Sequence, residues 1–94
     1  MTVKYTVKLT ARFRKDYKLM EKRNLDKSLL DEIIAKLARG IPLPANNRDH
    51  ALTGNFAGHR ECHIAPNWLL VYRIQDNILT LSLTRTGSHN DLFV

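Results

Sequence analysis

Three imidazoles, a carboxylate, an amide, a guanidinium and a late aromatic ring gather in the second half of this chain: His50, Glu61, His63, Asn67, Arg85, His89 and Phe93. Glu61 and His63 stand two apart in a strand-like run, so they share one face. His50 comes from the loop before that run, and Arg85 and His89 follow the last strand. In a meander these groups converge on one edge of a sheet.

Such a set suits cleavage of RNA by its own 2′-hydroxyl. That reaction needs a base for the 2′ proton, a cation for the charge that builds on phosphorus, and an acid for the leaving 5′-oxygen. Histidine fits both proton roles, with an ordinary pKa of about 6.5. The planar donors of arginine match phosphate oxygens. An aromatic ring can stack on a splayed base. No metal or other cofactor is needed.

Each residue also has a plainer reading. A single histidine in a small domain is usually a surface or hydrogen-bonded residue, and His59 is left there. Trp68 reads as core, and Cys62 as a small buried apolar residue. On composition alone Phe93 anchors the C-terminus sooner than it stacks on a base. Cys62, His63 and His89 make a poor zinc set, because adjacent strand residues point opposite ways and no second cysteine completes it.

The elements that must position these groups follow from periodicity. Val3 to Leu9 alternates, with Val3, Tyr5, Val7 and Leu9 on one side, as in a half-buried strand. Thr10 can cap a helix carrying Phe13, Tyr17 and Met20 on its inner stripe. Asp26 caps a second helix with Leu29, Leu30, Ile33, Ile34 and Leu37, closed by Gly40. Residues 41–57 form a long loop around His50, and long loops are often functional. A strand from His59 to Ile64 places His59, Glu61 and His63 opposite Arg60, Cys62 and Ile64. Trp68 to Ile74 is nearly all apolar, as in a strand covered on both faces. Asp76-Asn77 suits a tight turn. Ile78 to Thr84 closes the sheet with Leu79, Leu81 and Leu83 inward. The expected class is α+β, in the order β-α-α-β-β-β. A helical hairpin packs on one face of an antiparallel sheet and leaves the other face free to bind. One point is awkward: Arg85 shares the parity of the inward leucines, so it must emerge at the strand end or after a twist.

Composition agrees with one domain over residues 1–94, 44% hydrophobic and 26% charged. The net charge of +6 lies entirely within residues 1–23, where eight Lys/Arg face two acidic residues. That patch, with Lys15, Lys18 and Lys22, suits a polyanion: nucleic acid or an acidic protein segment. A single cysteine excludes an intramolecular disulfide and fits a reducing cytoplasm. The N-terminus MTVKYTVKL has no apolar leader core, and no run reaches the ~18 residues of a membrane span.

The string DHALTGNFAGHRECHIAPNWLLVYRI, followed by LTRTGSHNDLF, resembles the YafQ branch of the RelE/ParE toxin superfamily over about residues 40–93. The resemblance implies a RelE-like, microbial-RNase-like fold and a bacterial type II toxin that cleaves mRNA in the ribosomal A site. It implies an antitoxin of the DinJ/RelB kind, through which the complex binds operator DNA. Carried over, His50, His63 and His89 match the family's catalytic histidines, Arg85 its transition-state arginine and Glu61 an acidic site position. Phe93 matches a C-terminal aromatic that supports site or substrate, and the basic N-terminal patch meets ribosomal RNA. Asn67 departs from the family's aspartate, and an amide cannot accept a proton at neutral pH. The rival readings are a ParE-like toxin that binds a protein target without cleaving RNA, and an inactive RNA- or antitoxin-binding module.

Overall fold

The computed structural model describes residues 3–93; Met1, Thr2 and Val94 of the expected 1–94 domain lie outside the described residues. The elements are β1 (Thr6–Leu9), α1 (Ala11–Lys22), α2 (Lys27–Ala38), β2 (His50–Ala51), β3 (Arg60–Ala65), β4 (Trp68–Gln75), β5 (Thr80–Gly87) and α3 (His89–Phe93). The long elements keep the expected β-α-α-β-β-β order, and the class is α+β.

Both long helices start where their caps stand. Thr10 accepts the Phe13 amide at 3.0 Å, and Asp26 accepts the Ser28 amide at 3.0 Å. Gly40 follows α2 with φ 71°, the left-handed turn that ends a helix. Leu30, Ile33 and Leu37 of α2 meet Phe13 and Met20 of α1 over Cys62, Leu70, Tyr72, Leu81 and Leu83 of the sheet. Leu29 instead lies on the exposed side of α2. Burial pushes the Cys62 thiol up to about 12, so this cysteine behaves as a core residue.

The sheet runs β1-β5-β4-β3-β2. It is mixed rather than antiparallel throughout. β1 lies parallel to β5, because the helical hairpin carries the chain back across the sheet after β1. β1 is also shorter than the alternation suggests, and Val7 and Leu9 stay partly exposed at the edge.

The last strand differs most. Asp76–Ile78 forms a 3₁₀ turn, Leu79 takes φ 47° and is 51% exposed, and β5 begins only at Thr80. Leu79 therefore belongs to the turn, not the core. β5 then continues through Arg85 to Gly87. Across β4, Val71 pairs with Arg85 but Tyr72 with Leu83, which leaves Thr84 as an extra residue. A bulge of this kind reverses the alternation. Leu81 and Leu83 face the helices, while Arg85 shares the opposite face with Val71.

That opposite face is partly covered. Leu69 and Val71 pack under Leu92 of α3, with Leu52, Phe56 and Phe93 around them. β4 is thus buried on both faces, as its apolar run predicts. Among the described residues no helix is long and apolar enough to cross a membrane.

Candidate active site

Strand register decides which of the chemical groups meet. His50 pairs with Glu61, Glu61 with Val71, and Val71 with Arg85. Directly opposed residues on neighbouring strands project to one face. The row His50, Glu61, Val71, Arg85 therefore crosses four strands, about 4.8 Å apart, and spans roughly 14 Å. His63, Leu69 and Gly87 form the next row on the same face. His89 opens α3 two residues beyond Gly87.

Within these rows a carboxylate serves two imidazoles. Glu61 is only 7% exposed. Its Oε1 lies 3.5 Å from Nε2 of His50 and 4.0 Å from Nε2 of His63. His50 Nδ1 lies 2.7 Å from the Arg48 carbonyl oxygen. A carbonyl only accepts, so Nδ1 carries the hydrogen and Nε2 keeps the lone pair in the neutral ring. His50 itself is about half exposed, with its side chain at 49%. Nε2 thus faces the buried Glu61 carboxylate from a half-exposed ring.

The loop holding His50 is pinned on both sides. Asp49 accepts the Tyr72 hydroxyl and, at 3.2 Å, Nε of Arg60. Burial, and then Asp49, hold the Tyr72 phenol above its ordinary range, so it stays a donor. Asn47 donates to the His63 carbonyl at 2.7 Å. A hollow of about 390 Å³ opens beside His63, lined by Asn46, Arg48, Ile64 and Pro66 among others.

The far end is built by α3. Ser88 and Asp91 form a reciprocal cap: the Ser88 amide donates to Asp91 at 2.8 Å, and the Asp91 amide to the Ser88 hydroxyl at 3.1 Å. Arg23, just after α1, donates to both Asp91 oxygens, at 2.7 and 3.1 Å. First that bond and then the Ser88 amide hold the Asp91 carboxyl well below the usual range. Gly87 has no room for a side chain, since an added Cβ would stand 2.9 Å from Asp91 Oδ2. The cap orients α3 so that His89 is exposed and its ring lies 5.2 Å from that of Phe93. Phe93 meets Phe56 edge-on at 5.7 Å and is half-buried over Leu69 and Val71.

Arg85 is held from a third direction. Its Nε donates to Asp16 Oδ2 at 2.7 Å and its NH2 to Oδ1 at 3.2 Å. Asn67 is exposed in the β3–β4 turn and shares a hollow with Arg23, Trp68 and Ser88. His59 stays outside the rows, edge-on to Phe56 at 5.9 Å. Lys15, Lys18 and Lys22 project from the exposed side of α1, with no ion-pair partner among the described residues. Among those residues, no group of three or more His, Cys, Asp or Glu side chains is arranged to hold a metal ion.

Sequence reasoning passed over Asp16, Asn47, Asp49, Ser88 and Asp91. Three of them left a signal. Asp16 interrupts the Phe13–Met20 stripe, and Ser88–Asp91 has the spacing of a capping box.

A bulged sheet face carrying histidines, a buried glutamate and an arginine, under a short C-terminal helix, fits a small RNase-like toxin. The model of the YafQ family, described as bacterial toxins of type II toxin–antitoxin systems, matches residues 5–94, and the chain belongs to that family. The mRNA interferase toxin YafQ of Escherichia coli K12 is 36% identical over 88 residues, covering 93% of this chain and 94% of that protein. A chain of the E. coli DinJ–YafQ toxin–antitoxin complex superposes with a TM-score of 0.89 at 34% identity, over 98% of this chain and 100% of its own. A metal-bound toxin from Helicobacter pylori gives 0.89 at 40% identity, over 95% and 99%; the metal is a property of that protein.

Proposed function

We propose that this chain is an mRNA interferase, the toxin of a type II pair, and that it cleaves messages in the ribosomal A site by acid–base catalysis without a metal. The observation that carries this reading is the pair of imidazoles at 3.5 and 4.0 Å from one buried carboxylate, in line with Arg85.

In this reading His50 or His63 removes the 2′-hydroxyl proton. The imidazolium that forms is held by Glu61, which is already desolvated and in place. The 2′-oxygen attacks phosphorus, and Arg85 receives the charge that develops on the phosphate oxygens. His89, at the start of α3, protonates the 5′-oxygen as it leaves, so the products are a 2′,3′-cyclic phosphate and a free 5′-hydroxyl. Phe93 steadies His89 and offers a ring edge to a splayed base. Asn67 contributes a hydrogen bond to substrate rather than a proton acceptor.

The cations of α1, including Lys15, Lys18 and Lys22, meet ribosomal RNA and bring the site to the message. The partner that silences the enzyme is an antitoxin of the DinJ/RelB kind, whose acidic segment complements the same charge; the complex reaches operator DNA through that antitoxin. Both activities belong to the cytoplasm, where ribosomes and operator are found.

The test compares purified protein on translated and naked copies of one message, with 5′ ends mapped. Strong cleavage at codon-phased positions only on translating ribosomes is the expected result. Equal rates on both would exclude the A-site reading. Harmless high-level expression without a partner would count against the toxin reading itself.

A further inference from the structure

Asp16 has no part in the chemistry described so far, yet it is one of the few buried charges, at 8% exposure. It stands on the inner stripe of α1 between Phe13 and Met20, where an apolar residue would pack. Burying a carboxylate is costly unless its partners are fixed. Three donors meet it: Nε and NH2 of Arg85, and the Thr86 amide at 3.2 Å.

The topology explains why these donors are available. β1 ends at Leu9, so β5 has no strand neighbour on that side beyond Leu83. α1 covers this uncovered length. Thr10 donates its hydroxyl to the Thr84 carbonyl at 2.8 Å, and Asp16 accepts from the Thr86 amide. Between those two anchors lies Arg85, turned outward by the bulge at Thr84. The same carboxylate that caps the backbone thus grips the side chain.

We propose that Asp16 is a positioning residue for Arg85, holding the guanidinium in the attitude in which it receives the scissile phosphate. The inference rests on the reading of Arg85 as the phosphate-binding cation. A guanidinium has five N–H donors. Asp16 takes the Nε hydrogen and one hydrogen of NH2, and the three that are left suffice for a two-pronged grip on phosphate. A long side chain already fixed loses less freedom when the phosphate arrives. The device also links the basic helix to the catalytic face, since Asp16 sits next to Lys15 and two residues from Lys18.

The experiment is single-turnover cleavage of ribosome-bound message by the wild type, Asp16→Asn, Arg85→Ala and the double variant, with KM measured separately. Asp16→Asn keeps the volume but replaces one acceptor by a donor. It is expected to lower kcat about 10- to 100-fold with little change in KM, while the double variant cleaves no more slowly than Arg85→Ala. Guanidinium ion is expected to restore part of the rate to Arg85→Ala, and much less to the double variant, which lacks the carboxylate seat. A wild-type rate for Asp16→Asn beside a dead Arg85→Ala overturns the proposal and leaves the role of Arg85 intact. An equal further loss in the Arg85→Ala background makes Asp16 merely structural and also overturns it. A wild-type rate for Arg85→Ala instead overturns the role of Arg85. Should Asp16→Asn fail to fold, ¹⁵N relaxation of the Arg85 Nε–H in the wild type decides: a rigid bond agrees, and a freely moving side chain contradicts.

Discussion

Oε1 of Glu61 lies 3.5 Å from Nε2 of His50, with the carboxylate buried and the imidazole half exposed. In the proposed reaction the ring takes up the 2′ proton with a buried carboxylate already in place beside it. Glu61→Gln keeps the shape and removes the charge. Single-turnover cleavage of ribosome-bound message is expected to fall roughly 10- to 100-fold, about the worth of one hydrogen bond to a charged group. Thermal stability should change little. An unchanged rate would mean that neither imidazole depends on Glu61.

Lys15, Lys18 and Lys22 project to solvent from α1, on the helix whose inner side grips Arg85. Replacing all three by glutamine is expected to weaken ribosome association. The slope of log affinity against log salt should also fall, by about one for each phosphate the lysines no longer neutralise. Cleavage of message already bound should keep its rate. A triple variant that binds normally but cannot cut would reverse the assignment.

Asp91 ties α3 to α1 through Arg23 and caps its own helix through Ser88. Its carboxyl titrates lower folded than unfolded, so the sign is fixed. The stabilisation is complete above the unfolded value of about 3.9 and is lost as pH falls below it toward the folded value. Asp91→Asn is expected to lower the midpoint of thermal unfolding by several degrees at pH 6. The gap between the two proteins should close as pH drops below about 4. A gap that stays constant down to pH 2 would show that the charge of Asp91 contributes nothing.

Much of this was legible in the residues. The helix caps at Thr10 and Asp26, the doubly covered β4 and the shared face of Glu61 and His63 follow from local pattern alone. The direction of β1 was not, because its partner β5 lies some seventy residues away and no local signal encodes a parallel pairing. Arg85 read as inward because alternation counts residues, and one unpaired threonine undoes the count. Its true position needed the bulge. Leu79 read as core by the same counting, but the 3₁₀ turn through Ile78 and the left-handed Leu79 delay the start of the strand by two residues, to Thr80. The supports of the site were hidden for a different reason. Asp49, Asn47 and Asp16 act through Tyr72, His63 and Arg85, each distant in sequence and close only after folding. His89 was placed just past the last strand; what was missing was the five-residue helix, too short for periodicity, that the Ser88–Asp91 cap secures.

In the proposed reaction histidines move the protons, and Asn67, an amide that cannot accept one at neutral pH, does not. The direct measurement is single-turnover cleavage of ribosome-bound message by His50→Ala, His63→Ala, His89→Ala and Asn67→Ala, each confirmed as folded. His89→Ala and at least one of His50→Ala and His63→Ala are expected to lose about 10²–10⁴-fold. Asn67→Ala should lose only what one neutral hydrogen bond supplies, about 0.5–1.5 kcal/mol or roughly a tenfold effect at most. Normal cleavage by all three histidine variants, or an Asn67→Ala as inactive as they are, would contradict it.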